Sequence, residues 1–134
     1  MSRYGAVGDG KTPARAAIQK AIDAAAAAGG GTVVFPVGTW LTGSVQLRSH
    51  VHLRFEPNSR LLASSDPAAY NAAEPNQWNQ FQDFGHSHWH NGLIWGEEIE
   101  DIGITGPGLI DGAGLRTGDG NGGDKAIALR LCRN

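Results

Sequence analysis

Residues 5 to 12 read Gly5-Ala6-Val7-Gly8-Asp9-Gly10-Lys11-Thr12, which matches the phosphate-cradling pattern G-x-x-x-x-G-K-[ST] letter for letter. That pattern binds phosphate only where a buried strand delivers the glycines and a helix follows, because those two elements aim the backbone N–H groups. Here only Met1, Ser2, Arg3 and Tyr4 precede Gly5, and Pro13 follows Thr12. A second nucleotide element, an apolar run ending in aspartate, has its nearest counterpart in Leu109-Ile110-Asp111, embedded in glycines. The stretch therefore reads as the entry to a helix. Thr12 suits an N-cap and Pro13 the first helical position, where a missing N–H costs nothing. Ile18, Ala21, Ile22 and Ala25 recur at i, i+3, i+4, i+7 as one apolar stripe. Gly29-Gly30-Gly31 stops the helix and leads into Thr32-Val33-Val34-Phe35, a β-branched and aromatic run closed by Pro36.

Composition bounds what such a chain can be. Its 134 residues suffice for one domain, and 40% hydrophobic content with a net charge of −2 describes an ordinary globular chain. No basic patch suggests nucleic acid, and no stretch is long and apolar enough for a membrane span or an export signal. Twenty glycines between short apolar runs mean that the chain turns often, which favours a β-rich solenoid or barrel. Cys132 is the only cysteine, so an internal disulfide is impossible.

Short strands follow the helix. Val51, Leu53 and Phe55 alternate with His52, Arg54 and Glu56, and Ile127, Leu129 and Leu131 alternate with Ala128, Arg130 and Cys132. Val45-Gln46-Leu47, Leu61-Leu62-Ala63, Ile102-Gly103-Ile104 and Leu109-Ile110 lie between turn residues. Two-residue hairpin signals are scarce, so strands wound in successive coils fit better than antiparallel pairs. A stack of coils has open ends with unpaired N–H and C=O groups, and the helix is a natural lid for one of them.

Tyr4-Gly5-Ala6-Val7-Gly8-Asp9-Gly10, Ala17-Ile18-Gln19-Lys20-Ala21-Ile22, Gly30-Gly31-Thr32-Val33-Val34 and Gly38-Thr39-Trp40-Leu41-Thr42-Gly43 together resemble the opening of polygalacturonase-type β-helix enzymes. Gly106-Pro107-Gly108-Leu109-Ile110-Asp111-Gly112 narrows the resemblance to glycoside hydrolase family 28 within the pectate-lyase-like superfamily. The resemblance implies an all-β solenoid, a right-handed single-stranded parallel β-helix with an N-terminal α-helical cap. Residues 1–134 would form the N-terminal part of one such domain, with the cap at about 12–29 and an inserted loop at about 64–92. It also implies inverting hydrolysis of pectic glycosidic bonds, by carboxyls about 6.5 to 9.5 Å apart, and a secreted or periplasmic intact protein. The family's Asn-Thr-Asp, Asp-Asp, Gly-His-Gly and Arg-Ile-Lys signatures are absent from these residues. The expectation is therefore a stack truncated after its first coils, without catalytic residues and inactive alone. Its exposed last strands would favour self-association, and its ligand would be a pectic or related polysaccharide, with no cofactor and no metal. The alternatives are a lyase or tailspike relative of the same fold, and a non-catalytic carbohydrate-binding or assembly module.

The candidate contacts sit in or beside the inserted loop. Tyr70, Trp78, Phe81, Phe84 and Trp89 supply rings, of which most are expected to pin the loop and Trp89 is the candidate to touch sugar. His86, His88 and His90 alternate, so on an extended strand they would share one face at about 6.6 Å per step. Adjacent positions on a straight strand converge poorly on a metal, so hydrogen bonding to backbone or sugar hydroxyls is the expected role. The substrate-binding set is thus His86, His88, Trp89 and His90. The loop holds Asp66, Glu74 and Asp83 but no lysine or arginine, so either the histidines meet an acidic ligand or the ligand is less acidic than polygalacturonate. Glu98 and Glu100 share a face if their segment is a strand, although a solvated acidic turn is the ordinary reading. Asp111 is expected to accept turn N–H groups, and Gly118 to Asp124 has calcium-loop flavour without the EF-hand layout.

Overall fold

The computed structural model describes residues 2–75, 88–115 and 125–133. Strand β1 (Asp9–Pro13) is followed by helix α1 (Arg15–Ala27). Three triplets of strands come next: β2 (Gly31–Phe35), β3 (Gly38–Thr42) and β4 (Val45–Gln46); β5 (Val51–Phe55), β6 (Ser59–Ala63) and β7 (Ile94–Glu97); β8 (Gly103–Thr105), β9 (Leu109–Asp111) and β10 (Ile127–Arg130). The sheets are β2-β5-β8, β1-β3-β6-β9 and β4-β7-β10, so each triplet adds one strand to each of three faces. Every pairing among these strands is parallel. The molecule is a parallel β-helix, as the sequence pattern implies.

In-register stacking turns period-two alternation into a core, because like positions of successive coils lie one above another. Val33 pairs with Leu53 and Leu53 with Ile104, all pointing inward. The Phe35 and Phe55 rings stack with centroids 4.4 Å apart. The alternation at Val51, Leu53 and Phe55 is thus read correctly: all three are buried. Ile127 continues the Val45–Ile94 column and, with Leu129, lines an apolar recess beside Leu47, Ile102 and Ile104. Ile127 and Leu129 are 45% and 49% exposed, since β8, β9 and β10 are the outermost described strands of their sheets.

The helix is a lid with specific chemistry. Ile18 and Ile22 are fully buried over the first coil, contributing roughly 1.5–3 kcal/mol each by area. Gln19 closes the bare edge of β4: its Oε1 accepts the Gln46 N–H at 2.8 Å and its Nε2 donates to the Gln46 carbonyl at 3.1 Å. One side-chain amide thus replaces a missing neighbouring strand. The helix stops where expected, with Gly29 and Gly30 at φ +92° and +120° and their N–H groups on the carbonyls of Ala26 and Ala25.

Its start differs from expectation. The helix begins at Arg15, its N-cap residue is Ala14, and Thr12 and Pro13 belong to β1. The Ala14 N–H bonds to the Leu41 carbonyl, while Asp9 takes both the Thr12 N–H and the Thr12 hydroxyl at 2.7 Å, which holds Thr12 in β1 ahead of the N-cap position. Glu98 and Glu100 also share no strand face, because β7 ends at Glu97 and Glu98 turns the chain at φ +53°.

Candidate functional site

One corner of the solenoid carries its two longest connections. The first coil crosses from β3 to β4 through Gly43 and Ser44 alone, the second takes residues 64–93 from β6 to β7, and the third takes 112–126 from β9 to β10. Stacking places these crossings above one another. Ser44 ties the first two together: its hydroxyl accepts the Asn71 N–H at 3.0 Å and donates to the Gly92 carbonyl at 2.8 Å. Tyr70 is buried there with its hydroxyl on the Ser64 carbonyl at 2.7 Å, so it pins the loop as expected of most of its rings.

Glu74 organises the return of the loop. Its carboxylate accepts the N–H groups of Trp89 (3.0 Å) and His90 (2.9 Å) and lies 3.5 Å from Nδ1 of His88 and 3.8 Å from Nδ1 of His90. The His90 ring stacks on Trp95 at 4.1 Å and meets Glu97 Oε2 through Nε2 at 2.8 Å. Residues 88–90 are not extended strand, so the shared face expected of the histidines does not form as drawn; a carboxylate gathers His88 and His90 instead. His86, Trp78, Phe81, Asp83, Phe84 and the segment 118–124 lie outside the described residues. Among the described residues no group of three or more His, Cys, Asp or Glu could hold a metal ion.

The basic groups missing from the loop's sequence arrive from the next coil. Arg130 pairs in register with Glu97, donates from Nη1 to Glu97 Oε1 at 2.5 Å, and lays its guanidinium over Trp89 with 4.5 Å to the ring centroid. Lys125 donates from Nζ to the His88 carbonyl at 2.5 Å. Sequence reasoning had no means to find either, because the contact spans 33 positions and depends on coil register.

Asp9, Glu97, Asp101 and Asp111 are all held in their ionised form. Hydrogen bonding from His90, then from Trp89 and Arg130, keeps Glu97 below the usual carboxylate range. His50 and then His52 do the same for Asp101. Asp111 accepts the Ala113 N–H, as expected, and also pairs with Arg60; both lower it. The Thr12 and Lys11 N–H groups bring Asp9 down to about 2. A general acid needs the opposite shift. Asp9 also disposes of the phosphate-loop match, since its carboxylate occupies the very N–H groups that a phosphate would need.

Similarity to known proteins covers most of the chain. Residues 1–89 match the family described as rhamnogalacturonase A/epimerase, pectate lyase-like. The chain is 35% identical over 116 residues to a probable polygalacturonase of Vitis vinifera, covering 83% of this chain and 23% of that protein. Over 61 residues it is 52% identical to the plasmin and fibronectin-binding protein A of Streptococcus pneumoniae, covering 44% of this chain and 8% of that one. It superposes on a hyperthermoactive exopolygalacturonase from Thermotoga maritima with a TM-score of 0.71 and 27% identity, over 84% of this chain and 24% of that one. The chain therefore spans less than a quarter of the length of these relatives. By the extent of the family match and the agreement in fold, the chain belongs to the rhamnogalacturonase A/epimerase, pectate lyase-like family of parallel β-helix proteins.

Proposed function

We propose that these residues form the lid and first coils of a secreted or periplasmic glycoside hydrolase that cleaves pectic polysaccharide with inversion, and that they bind the chain without cleaving it. The observation that carries this reading is the similarity to polygalacturonases across more than four-fifths of the chain, in sequence and in fold. The corner of His88, Trp89 and His90 supports a contact role, since it sets an aromatic ring and imidazoles beside cationic side chains. Charge supports the expected lack of cleavage by these residues. Glu97, Asp101 and Asp111 are pinned as acceptors by bases or N–H groups, so none can hand a proton to a leaving oxygen.

The test is reducing-end release from polygalacturonate by the natural gene product containing these residues, with the released anomer followed by NMR. Inverted product supports the reading; unsaturated product absorbing in the ultraviolet, or no product, overturns it. The 134-residue chain alone is expected to release none.

A second reading has one observation in its favour, the 52% identity to the pneumococcal binding protein over 61 residues. On that reading the coils serve adhesion, and binding to host glycoprotein would persist in a gene product that hydrolyses no glycan.

A further inference from the structure

Arg130 is held in a half-used state. Its Nη1 donates to Glu97 and its guanidinium lies over Trp89, while the Nε–Nη2 edge makes no hydrogen bond to a described residue. The side chain remains about one-third exposed, at 34%. Beside it is a recess of about 310 Å³ lined by His88, Trp89, Lys125, Ala128, Leu129 and Arg130. That lining holds two cations and no carboxylate, although Glu97 accepts from Arg130 and Glu74 from the N–H groups of Trp89 and His90. A guanidinium fixed from one side by an ion pair and from another by a ring is pre-organised, and its free edge presents two parallel N–H donors. That geometry fits the two oxygens of a carboxylate and nothing on a neutral sugar equally well.

We propose that this recess is a subsite for an acidic sugar, in which Arg130 reads the uronate carboxylate through Nε and Nη2 while the Trp89 indole flanks the sugar ring. The inference rests on the pectic-substrate reading and adds to it the group that tells acidic from esterified or neutral chains. It also answers the shortage of cations in the loop's own sequence. Glu97 is then a positioning residue: it aims the guanidinium and does not touch the ligand.

The experiment is calorimetric titration of the 134-residue chain with trigalacturonate and with its methyl ester. The acid should bind at least about tenfold more tightly than the ester, the size expected of one charged hydrogen-bonded contact. Arg130→Gln should bring the acid down to the level of the ester. Glu97→Gln keeps a side-chain oxygen that can accept from Nη1 and so hold the guanidinium in place, but removes the competing charge, so it should bind the acid at least as tightly as the natural chain. Equal binding of acid and ester, no binding of either, unchanged binding in Arg130→Gln, or equal losses in both variants would each overturn the subsite. None of these outcomes touches the reducing-end assay, so the subsite and the hydrolase reading fail separately.

Discussion

The His52 ring lies across Gly103 and meets Asp101 Oδ1 at 3.2 Å, which fastens the second coil to the third. His50 reaches Oδ2 of the same carboxylate at 3.2 Å. A Cβ on Gly103 would stand 2.6 Å from His52 Nδ1, so the absent side chain lets the imidazole lean toward its partner. The two bases hold the Asp101 carboxyl below its ordinary 3.8. A carboxyl lowered in the folded state adds stability that is complete above its ordinary value and is lost as pH falls through the lowered one. Acid should therefore loosen this clasp. Asp101→Asn keeps a residue tolerant of φ +50° and should flatten the acid limb of a urea-midpoint profile. Parallel acid limbs for the two chains would refute this.

Tyr70 behaves in the opposite sense. Burial pushes its phenol from 10.0 up to about 12. A raised acid contributes stability that is complete below its ordinary value and is lost as pH rises through the raised one, so the alkaline limb should begin above pH 10. Tyr70→Phe should cost about 1 kcal/mol at neutral pH for the bond to Ser64, and should remove that limb. Phenolate absorbance measured against pH checks the assignment, because the late-titrating component must vanish in the variant.

What the sequence discloses follows from how each element is held. The stripe of Ile18, Ala21 and Ile22 and the alternation of Val51, Leu53 and Phe55 are local patterns fixed by burial, and both were legible. Strand β1 was not, since Asp9–Pro13 is polar and mostly exposed and is extended only because it lies against β3. The loop's rings and histidines could be named as contacts, but the Glu74 carboxylate that gathers them acts across 15 and 16 positions. Arg130 was legible only as a polar outward residue, because its partners are fixed by the register of one coil on another.

At the opening glycines, Asp9 and not Lys11 should matter. Asp9 gathers three hydrogen bonds from Lys11 and Thr12, whereas the Lys11 side chain is exposed. Asp9→Ala should lower the melting midpoint and fray β1, while Lys11→Ala should leave the midpoint where it is. Neither ATP nor GTP should protect either variant or the natural chain. Nucleotide-dependent stabilisation that disappears in Lys11→Ala would restore the phosphate-loop reading.

The Gly106-Pro107-Gly108 turn between β8 and β9 should tolerate no side chain at its first position. Gly106 sits at φ +98°, and a Cβ there would run into the Phe55 carbonyl of the coil beside it. Two penalties add: a backbone conformation that L-residues rarely adopt, and a collision with main chain that cannot swing aside as a side-chain tip would. Gly106→Ala should therefore cost at least about 2 kcal/mol in the urea midpoint. Asn at the same position relieves the first penalty but not the second. If Gly106→Asn recovers most of the lost stability, conformation alone sets the requirement; if it is as damaging as alanine, the close approach to Phe55 does, and the latter is the expected result.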